Sequence, residues 1–297
     1  MRIVLAGATG FIGSALVPAL VGAGHEVVVL TRSAKKAVGA AAMVVWDGRS
    51  VDAGALAGAD AVVNLSGATI AGTRWTARRK RGIVSSRVES TAAIVDAIAQ
   101  LRPEQRPRVL VNASGIDYAG DAGDEIVDES VRPGETFLAS VCVEWEAAAL
   151  AAEALGLRVV LMRTPVVFAR DALALKLMAL PFRLLVGGRL GSGRQWFPWI
   201  HLADAVRLYI SAIEDDALQG PVHMVAPEAV RQADVAREIG RALHRPSILP
   251  APGWALKLGL GEQSDLLLGG QHAVSRKLAA GAFLYPRLAD ALAEALR

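Results

Sequence analysis

The amino-acid sequence predicts an α/β fold, a doubly wound parallel sheet with helices on both faces and a smaller mixed lobe at the C-terminal end. Three observations predict it. Strand-like and helix-like segments alternate from residue 1 to about residue 168. The strand-like segments are short, nearly continuous apolar runs, as in strands buried on both faces. The first of them runs directly into a turn with glycines at 7, 10 and 13.

The elements follow in order. Residues 3–6 form a buried strand, and Gly7-Ala8-Thr9-Gly10-Phe11-Ile12-Gly13 forms the turn and the start of a helix. Gly7 allows the tight turn, Gly10 lets the backbone approach a pyrophosphate, and Gly13 lets helix and strand pack closely. Phosphates then lie on the free N–H groups and positive dipole of the helix start. The helix continues from Ser14 with Leu16 and Leu20 on one face, stops at Gly22-Ala23-Gly24, and gives way to a strand at 26–30. That is one βαβ unit of about thirty residues, the opening of a Rossmann-type sheet. Gly7, Thr9, Gly10, Phe11, Ile12 and Gly13 are therefore cofactor candidates.

The second strand ends in Thr31-Arg32-Ser33, with Lys35 and Lys36 beyond. An NAD site usually carries an acid here, on the ribose hydroxyls. An acid would repel a 2′-phosphate, whereas Arg32 grips one bidentately with help from Ser33 and the lysines. The cofactor expected is NADP(H). The plainer reading makes Arg32 a solvated charge after a strand.

Further strands are expected at 43–46, followed by Asp47, and at 61–65, ending in Ser66-Gly67. A long amphipathic helix spans 83–101. A strand at 109–112 leads into Ala113-Ser114-Gly115, a helix covers 137–155, and a strand at 158–162 leads into Arg163-Thr164-Pro165-Val166. Beyond 168 a glycine-rich loop at 187–194 precedes Gln195-Trp196-Phe197-Pro198-Trp199-Ile200-His201. A helix at 202–216, a strand at 222–225 that returns to the sheet, and a mostly helical tail complete the chain. The division is a cofactor domain at 1–168 and a substrate lobe with a small C-terminal domain at 169–297. Ligands of such sheets bind outside the carboxyl ends of the strands. This adds Asp47, Leu65, Ser66, Gly67, Arg163 and Val166 to the cofactor candidates.

Composition excludes several classes. The 32 basic and 29 acidic side chains nearly balance, and no basic stripe interleaved with aromatics points to nucleic acid. The one basic run, residues 74–81, reads as a solvated helix start or a lure for anions. A single cysteine, Cys142, rules out an internal disulfide and suits a reducing cytoplasm. The glycine loop arrives too early for a signal peptide. The apolar stretch 172–187 is broken by Lys176, Pro181 and Arg183, so no membrane is expected. No Cys/His cluster has metal-ligand spacing. The expected partner is a small-molecule substrate, with a homodimer left open.

The Gly7–Gly13 loop, Asn64-Leu65-Ser66-Gly67, Ser114 and Trp199-Ile200-His201-Leu202-Ala203-Asp204 together resemble the extended short-chain dehydrogenase/reductase superfamily. Within it the chain resembles the atypical "epimerase family protein" branch. The branch stretches are Arg74-Trp75-Thr76 with Lys80, Ser86-Arg87, Glu144-Trp145-Glu146 and Gly191-Ser192-Gly193-Arg194-Gln195-Trp196. Gly269-Gly270-Gln271 and Tyr285-Pro286 match its small C-terminal domain. The resemblance covers essentially the whole chain and implies NADP(H) binding, but supplies no reaction.

Active members of the superfamily use Ser, Tyr and Lys, the last two as Tyr-x-x-x-Lys on one helix. Ser114 matches the Ser, but the helix slots hold Cys142 and Glu146, and no Tyr occurs between 119 and 208. Tyr118, with Lys80 or Arg87 as a neighbouring cation, and Ser114, as a donor to a carbonyl oxygen, are the catalytic candidates. Their plainer readings are packing and a loop serine. Cys142 reads as a weak acid or, more simply, as a small core residue. Arg194, Gln195, Trp196 and His201 are the substrate candidates, on a loop whose glycines suggest a mobile lid. For His201 the competing reading is structural. The functional expectation is an NADP(H)-dependent oxidoreductase or epimerase-like enzyme. The alternative is a catalytically silent NADP(H) binder that reports redox state to a partner. A nucleotide-sugar epimerase proper, holding NAD, is disfavoured by Arg32.

Overall fold

The computed structural model describes residues 1–33, 41–71 and 74–297. Lys35 and Lys36 lie outside the described residues. In chain order the strands are β1 (Arg2–Ala6), β2 (Glu26–Thr31), β3 (Ala42–Val45), β4 (Ala61–Asn64), β5 (Val109–Gly115), β6 (Ile126–Val127), β7 (Arg158–Thr164), β8 (Val166–Phe168), β9 (Trp199–His201), β10 (Gly220–His223) and β11 (His272–Ala273). Seven of them form one parallel sheet in the order β10-β7-β5-β4-β1-β2-β3. The order reverses between β1 and β4, which opens a crevice at their carboxyl ends.

The apolar runs explain the sheet. Ile3 stands beside both Val27 and Ala61, and Leu5 beside Val29 and Val63. Alternate residues feed two cores, one on each face. Ile3, Leu5, Val27 and Val29 pack with α1 (Phe11–Gly22). Val4, Val28, Val62 and Leu110 pack on the other face, over the short α2 (Ala53–Leu56) and α3 (Ala77–Ala99). α4 (Phe137–Leu150) lies beside α3 and ends earlier than the predicted helix. Its last turn tightens to a 3₁₀ turn over Ala151–Leu155, closed by Gly156 at φ 87°.

Several strands differ from expectation. β7 runs on to Thr164 because β5 runs on to Gly115, and the two pair to the end. Residues 199–201, read as part of a loop, form β9 and pair with β8, so Trp199 is buried in the lobe core. That core joins Phe168, Trp199 and Val235 to α5 (Leu173–Arg183) and α7 (Gln232–Ala242). Between them α6 (Leu202–Glu214) returns to the main sheet, and β10 joins its edge at 220–223. The chain ends with α8 (Gly253–Leu260), α9 (Asp265–Leu268) and α10 (Leu288–Ala295). Among the described residues no helix is long and apolar enough to cross a membrane.

One buried carboxylate ties the tail down. Asp204 of α6 accepts from the backbone N–H of Leu284 at 2.6 Å and of Tyr285 at 3.0 Å. Asp204→Ala leaves both donors without a partner, and urea unfolding is expected to show a loss of about 2–4 kcal/mol. A loss below ~1 kcal/mol would show that water replaces the carboxylate.

A candidate dinucleotide crevice

The floor of the crevice is the turn after β1. Gly7 sits at φ 83°, and a Cβ there would lie 2.6 Å from the carbonyl carbon and oxygen of Leu65. A Cβ on Gly13 would lie 2.5 Å from the oxygen of Gly7. These two glycines let the turn close against β4 and against its own helix. Gly10 is different. Its Cβ would meet only the oxygen of Gly7, at 3.1 Å, and the residue is exposed. Gly10 is the N-cap of α1 and supplies no side-chain cap. The first helical bond is Ser14 N–H to the Gly10 oxygen, so the amides of Phe11, Ile12 and Gly13 precede it. An uncapped helix start beneath an open glycine is a cradle for an anion.

Around it stand the other strand ends. Thr9 and Phe11 are exposed and Ile12 half-buried. Arg32 is exposed just past β2, beside Ser33, whose N–H bonds Thr31 Oγ1. Leu65 and Ser66 are half-buried, and Gly67 is exposed, at the end of β4. Val166 opens β8, immediately beyond β7. Asp47 closes its own turn, with Oδ1 accepting from the N–H groups of Arg49 and Ser50, both at 2.7 Å. Those bonds hold its carboxyl below the usual range and leave Oδ2 for other contacts.

The Arg163 side chain is held by the protein itself. It is 3% exposed, and Glu146 of α4 chelates it, Nε to Oε1 and Nη2 to Oε2, both at 2.9 Å. Nη1 points to the Glu129 oxygen at 3.4 Å. Each guanidinium nitrogen thus has an acceptor within the protein. The guanidinium also lies 3.5 Å from the ring centroid of Tyr118. The cation beside Tyr118 is thus Arg163, not Lys80 or Arg87. Lys80 pairs with Glu262 instead.

Ser114 also differs from expectation. Its Oγ donates to Glu146 Oε1 at 2.6 Å, and a carboxylate can only accept. Ser114 therefore offers the crevice lone pairs, not a proton. Cys142 is buried, with Sγ 3.6 Å from the Gly115 oxygen. Burial, reinforced by the charge of Asp117, pushes its thiol up to about 12, so it stays protonated. The hydroxyl of Tyr118 is left as the remaining donor among the proposed catalytic pair.

One further group carries no motif in the sequence. Asp117 follows β5 on a 3₁₀ turn, and its Oδ2 and Cys142 Sγ would meet a Cβ on Gly115 at 3.4 and 3.2 Å. Burial raises its carboxyl to about 6, against the pull of Arg87. A charge standing in a strand-end turn is the signal that marks it.

The substrate candidates fare unevenly. Arg194 is exposed, with its backbone oxygen held by Arg231. The Gln195 amide is committed to the oxygens of Leu190 and Leu267, at 3.1 and 2.7 Å. Trp196 is sandwiched, with His272 stacked at 3.8 Å and the Arg231 guanidinium at 3.7 Å, while Nε1 donates to Asp124. Neither face is left for a substrate. His201 is the N-cap of α6, accepting from Ala203 N–H, with Nε2 on Glu294. Its place is the seam with α10. The glycine loop is pinned too, by Leu190 N–H on Gln232 and Gly191 N–H on Ala251. These partners come from up to 93 residues away, which is why the loop looked free in the sequence.

The C-terminal domain roofs the crevice. Arg74 donates to the Leu258 oxygen, Leu266 packs with Ile83, Leu138 and Val141, and Gln271 donates to the Gly120 oxygen. Among the described residues no group of His, Cys, Asp and Glu side chains could hold a metal ion.

Comparison with known proteins places this architecture. The model of the NAD dependent epimerase/dehydratase family matches residues 3–226. The chain belongs to that family. Residues 251–295 match a second model, a domain of unknown function termed DUF1731. A chloroplastic SDR39U1 homologue described as an epimerase family protein, from Arabidopsis thaliana, is 40% identical over 98% of this chain and 86% of its own length. The epimerase family protein ML0860 of Mycobacterium leprae is 37% identical over 95% of this chain and 91% of its own. The crystal structure of human SDR39U1 with NADPH superposes with a TM-score of 0.88 at 33% identity, covering 99% of both chains. The family thus has a member of this full architecture, roof included, that binds a nicotinamide cofactor.

Proposed function

We propose that this chain is an NADP(H)-dependent oxidoreductase of the extended short-chain dehydrogenase/reductase type, acting on a small molecule in the cytoplasm. The observation that carries the reading is the uncapped start of α1 under Gly10, a cradle that a side chain would fill. The NADPH bound by the human relative supports it, and the exposed Arg32 with no acid beside it favours the 2′-phosphate. The lone, buried Cys142 agrees with a reducing compartment.

In this reading the amides of Phe11 and Ile12 hold the pyrophosphate, and Arg32 and Ser33 the 2′-phosphate. Leu65, Ser66 and Gly67 form the wall past the end of β4. The nicotinamide ring, when bound, supplies or accepts a hydride. Tyr118 and Asp117 are the chain's groups placed to move the accompanying proton. Ser114, Glu146 and Arg163 form a fixed base under them.

The test is a titration of cofactor-stripped protein with NADPH and NADH, read by nicotinamide fluorescence. NADPH is expected to bind at least about tenfold more tightly, and Arg32→Glu to remove that preference. Equal affinities, or an unchanged preference in the variant, would defeat the assignment of Arg32.

One observation favours a second reading, a silent NADP(H) binder that signals redox state. α4 contains neither Tyr nor Lys, and Glu146 is locked to Arg163. Stereospecific transfer of label from C4-deuterated NADPH to any substrate eliminates that reading.

A further inference from the structure

Two guanidinium groups are buried near the crevice, and among the described residues only one of them is in a direct ion pair. Arg163 has Glu146. Arg87, on α3, is 7% exposed and forms no ion pair among the described residues. Its Nη1 donates to the oxygens of Ala68 and Ile83, both at 3.1 Å, and its Cζ lies 5.1 Å from the Trp145 ring. Nε and Nη2 donate to nothing among the described residues. Gly67 lies over the flat face of the guanidinium, where a Cβ would come 3.0 Å from Cζ, 3.2 Å from Nη2 and 3.3 Å from Nε. Glycine at 67 keeps that face clear and leaves the in-plane edge to Nε and Nη2.

We propose that Arg87 anchors a carboxylate of the reactant, received in the guanidinium plane by Nε and Nη2 while Gly67 lies over the face. The proposal rests on the reading of the crevice as an NADP(H) site. Three arguments carry it. A buried charge is costly unless paired, and a ligand that brings the partner removes the cost. The Nε/Nη2 edge is a planar two-donor fork, which matches the two oxygens of a carboxylate. The cofactor's pyrophosphate already has a cradle of its own at α1. Burial lowers Arg87 to about 10, so it is still a cation at neutral pH.

The charged and titratable groups that act on Arg87 are Arg79 of its own helix, Asp117 past β5 and Cys142 of α4. The thiol stays neutral. Arg79 reinforces attraction for an anion. Asp117, ionised at neutral pH, competes with the anion for Arg87 and is relieved on protonation. The proposal therefore makes opposite predictions for two neighbours: loss of Arg87 weakens carboxylate binding, and loss of the Asp117 charge strengthens it.

The experiment uses the full chain saturated with NADP⁺ and benzoate as the probe, read by saturation-transfer NMR at neutral pH. Saturable, millimolar binding to the unaltered protein is expected. Arg87→Gln should weaken it by roughly tenfold or more, the scale of a charge-assisted hydrogen bond. Arg87→Lys should retain part of it, and Asp117→Asn should tighten it by roughly threefold or more. NADPH affinity of the Arg87 variants should stay within about threefold of the original. No saturable binding, equal binding to Arg87→Gln, or weaker binding to Asp117→Asn each overturns the proposal. So does loss of NADPH affinity in Arg87→Gln, which would assign the fork to the cofactor. NADPH binding without benzoate binding defeats this proposal alone. Failure of the unaltered protein to bind NADPH defeats the cofactor reading as well.

Discussion

Glu146→Gln is expected to lower the unfolding free energy by about 3–5 kcal/mol, measured by urea denaturation. Glu146 and Arg163 are 5% and 3% exposed and meet in a two-bond chelate. A glutamine keeps the shape and removes the charge, so Arg163 is left as a buried cation with no counter-ion. Ser114 loses its carboxylate acceptor in the same step. The paired replacement Glu146→Leu with Arg163→Met is expected to recover most of the loss, because removing both charges also removes both desolvation costs. Tyr118, which stacks on Arg163, would keep an apolar neighbour. A single variant that loses less than ~1 kcal/mol would mean that water reaches the chelate.

The second large effect separates folding from binding within one turn. Gly10→Val is expected to reduce NADPH affinity by roughly a hundredfold or more, because its side chain fills the phosphate cradle. Its cost to stability should be small, since the only near atom is the Gly7 oxygen. Gly7→Ala should do the reverse first. Its φ of 83° and the 2.6 Å approach to Leu65 set a non-glycine residue against both backbone conformation and β4. A stability loss of about 2–4 kcal/mol is expected, with affinity falling only through loss of folded protein. If both variants fold well and bind NADPH unchanged, the turn is not the phosphate site.

These effects differ in how far the sequence announces them. The glycine turn, the first βαβ unit and the strand ends at 64–67 and 113–115 are written in local spacing, which one element suffices to express. The chelate is not, because Glu146 and Arg163 meet only when α4 packs on β7. Its signal is weaker but real: Arg163 is a charge at the end of an apolar strand, and Glu146 stands on the apolar side of its helix, where charges are usually paired. The loop at 187–201 misled for the same reason in reverse. Its aromatic and polar residues look available until Arg231, Glu294 and Gly270 arrive from elsewhere in the chain, and then Gln195, Trp196 and His201 are structural. Arg87 is visible in the sequence as a helix residue, but its idle donors appear only once α3 packs beneath Gly67 and beside Trp145.

The edge of the main sheet has a consequence for how the chain is made. β7 presents its outer backbone groups to β10, which lies on the far side of the whole α5–β9–α6 excursion. Arg158, at the foot of β7, waits on the same later segment, with donors fixed to the oxygens of Ala212, Ile213 and Leu218. During synthesis from the N-terminus the cofactor half emerges first and keeps an open strand edge until residues 220–223 leave the ribosome. A nascent chain stalled in that interval, or a fragment cut after β8, carries a ready template for intermolecular strand pairing.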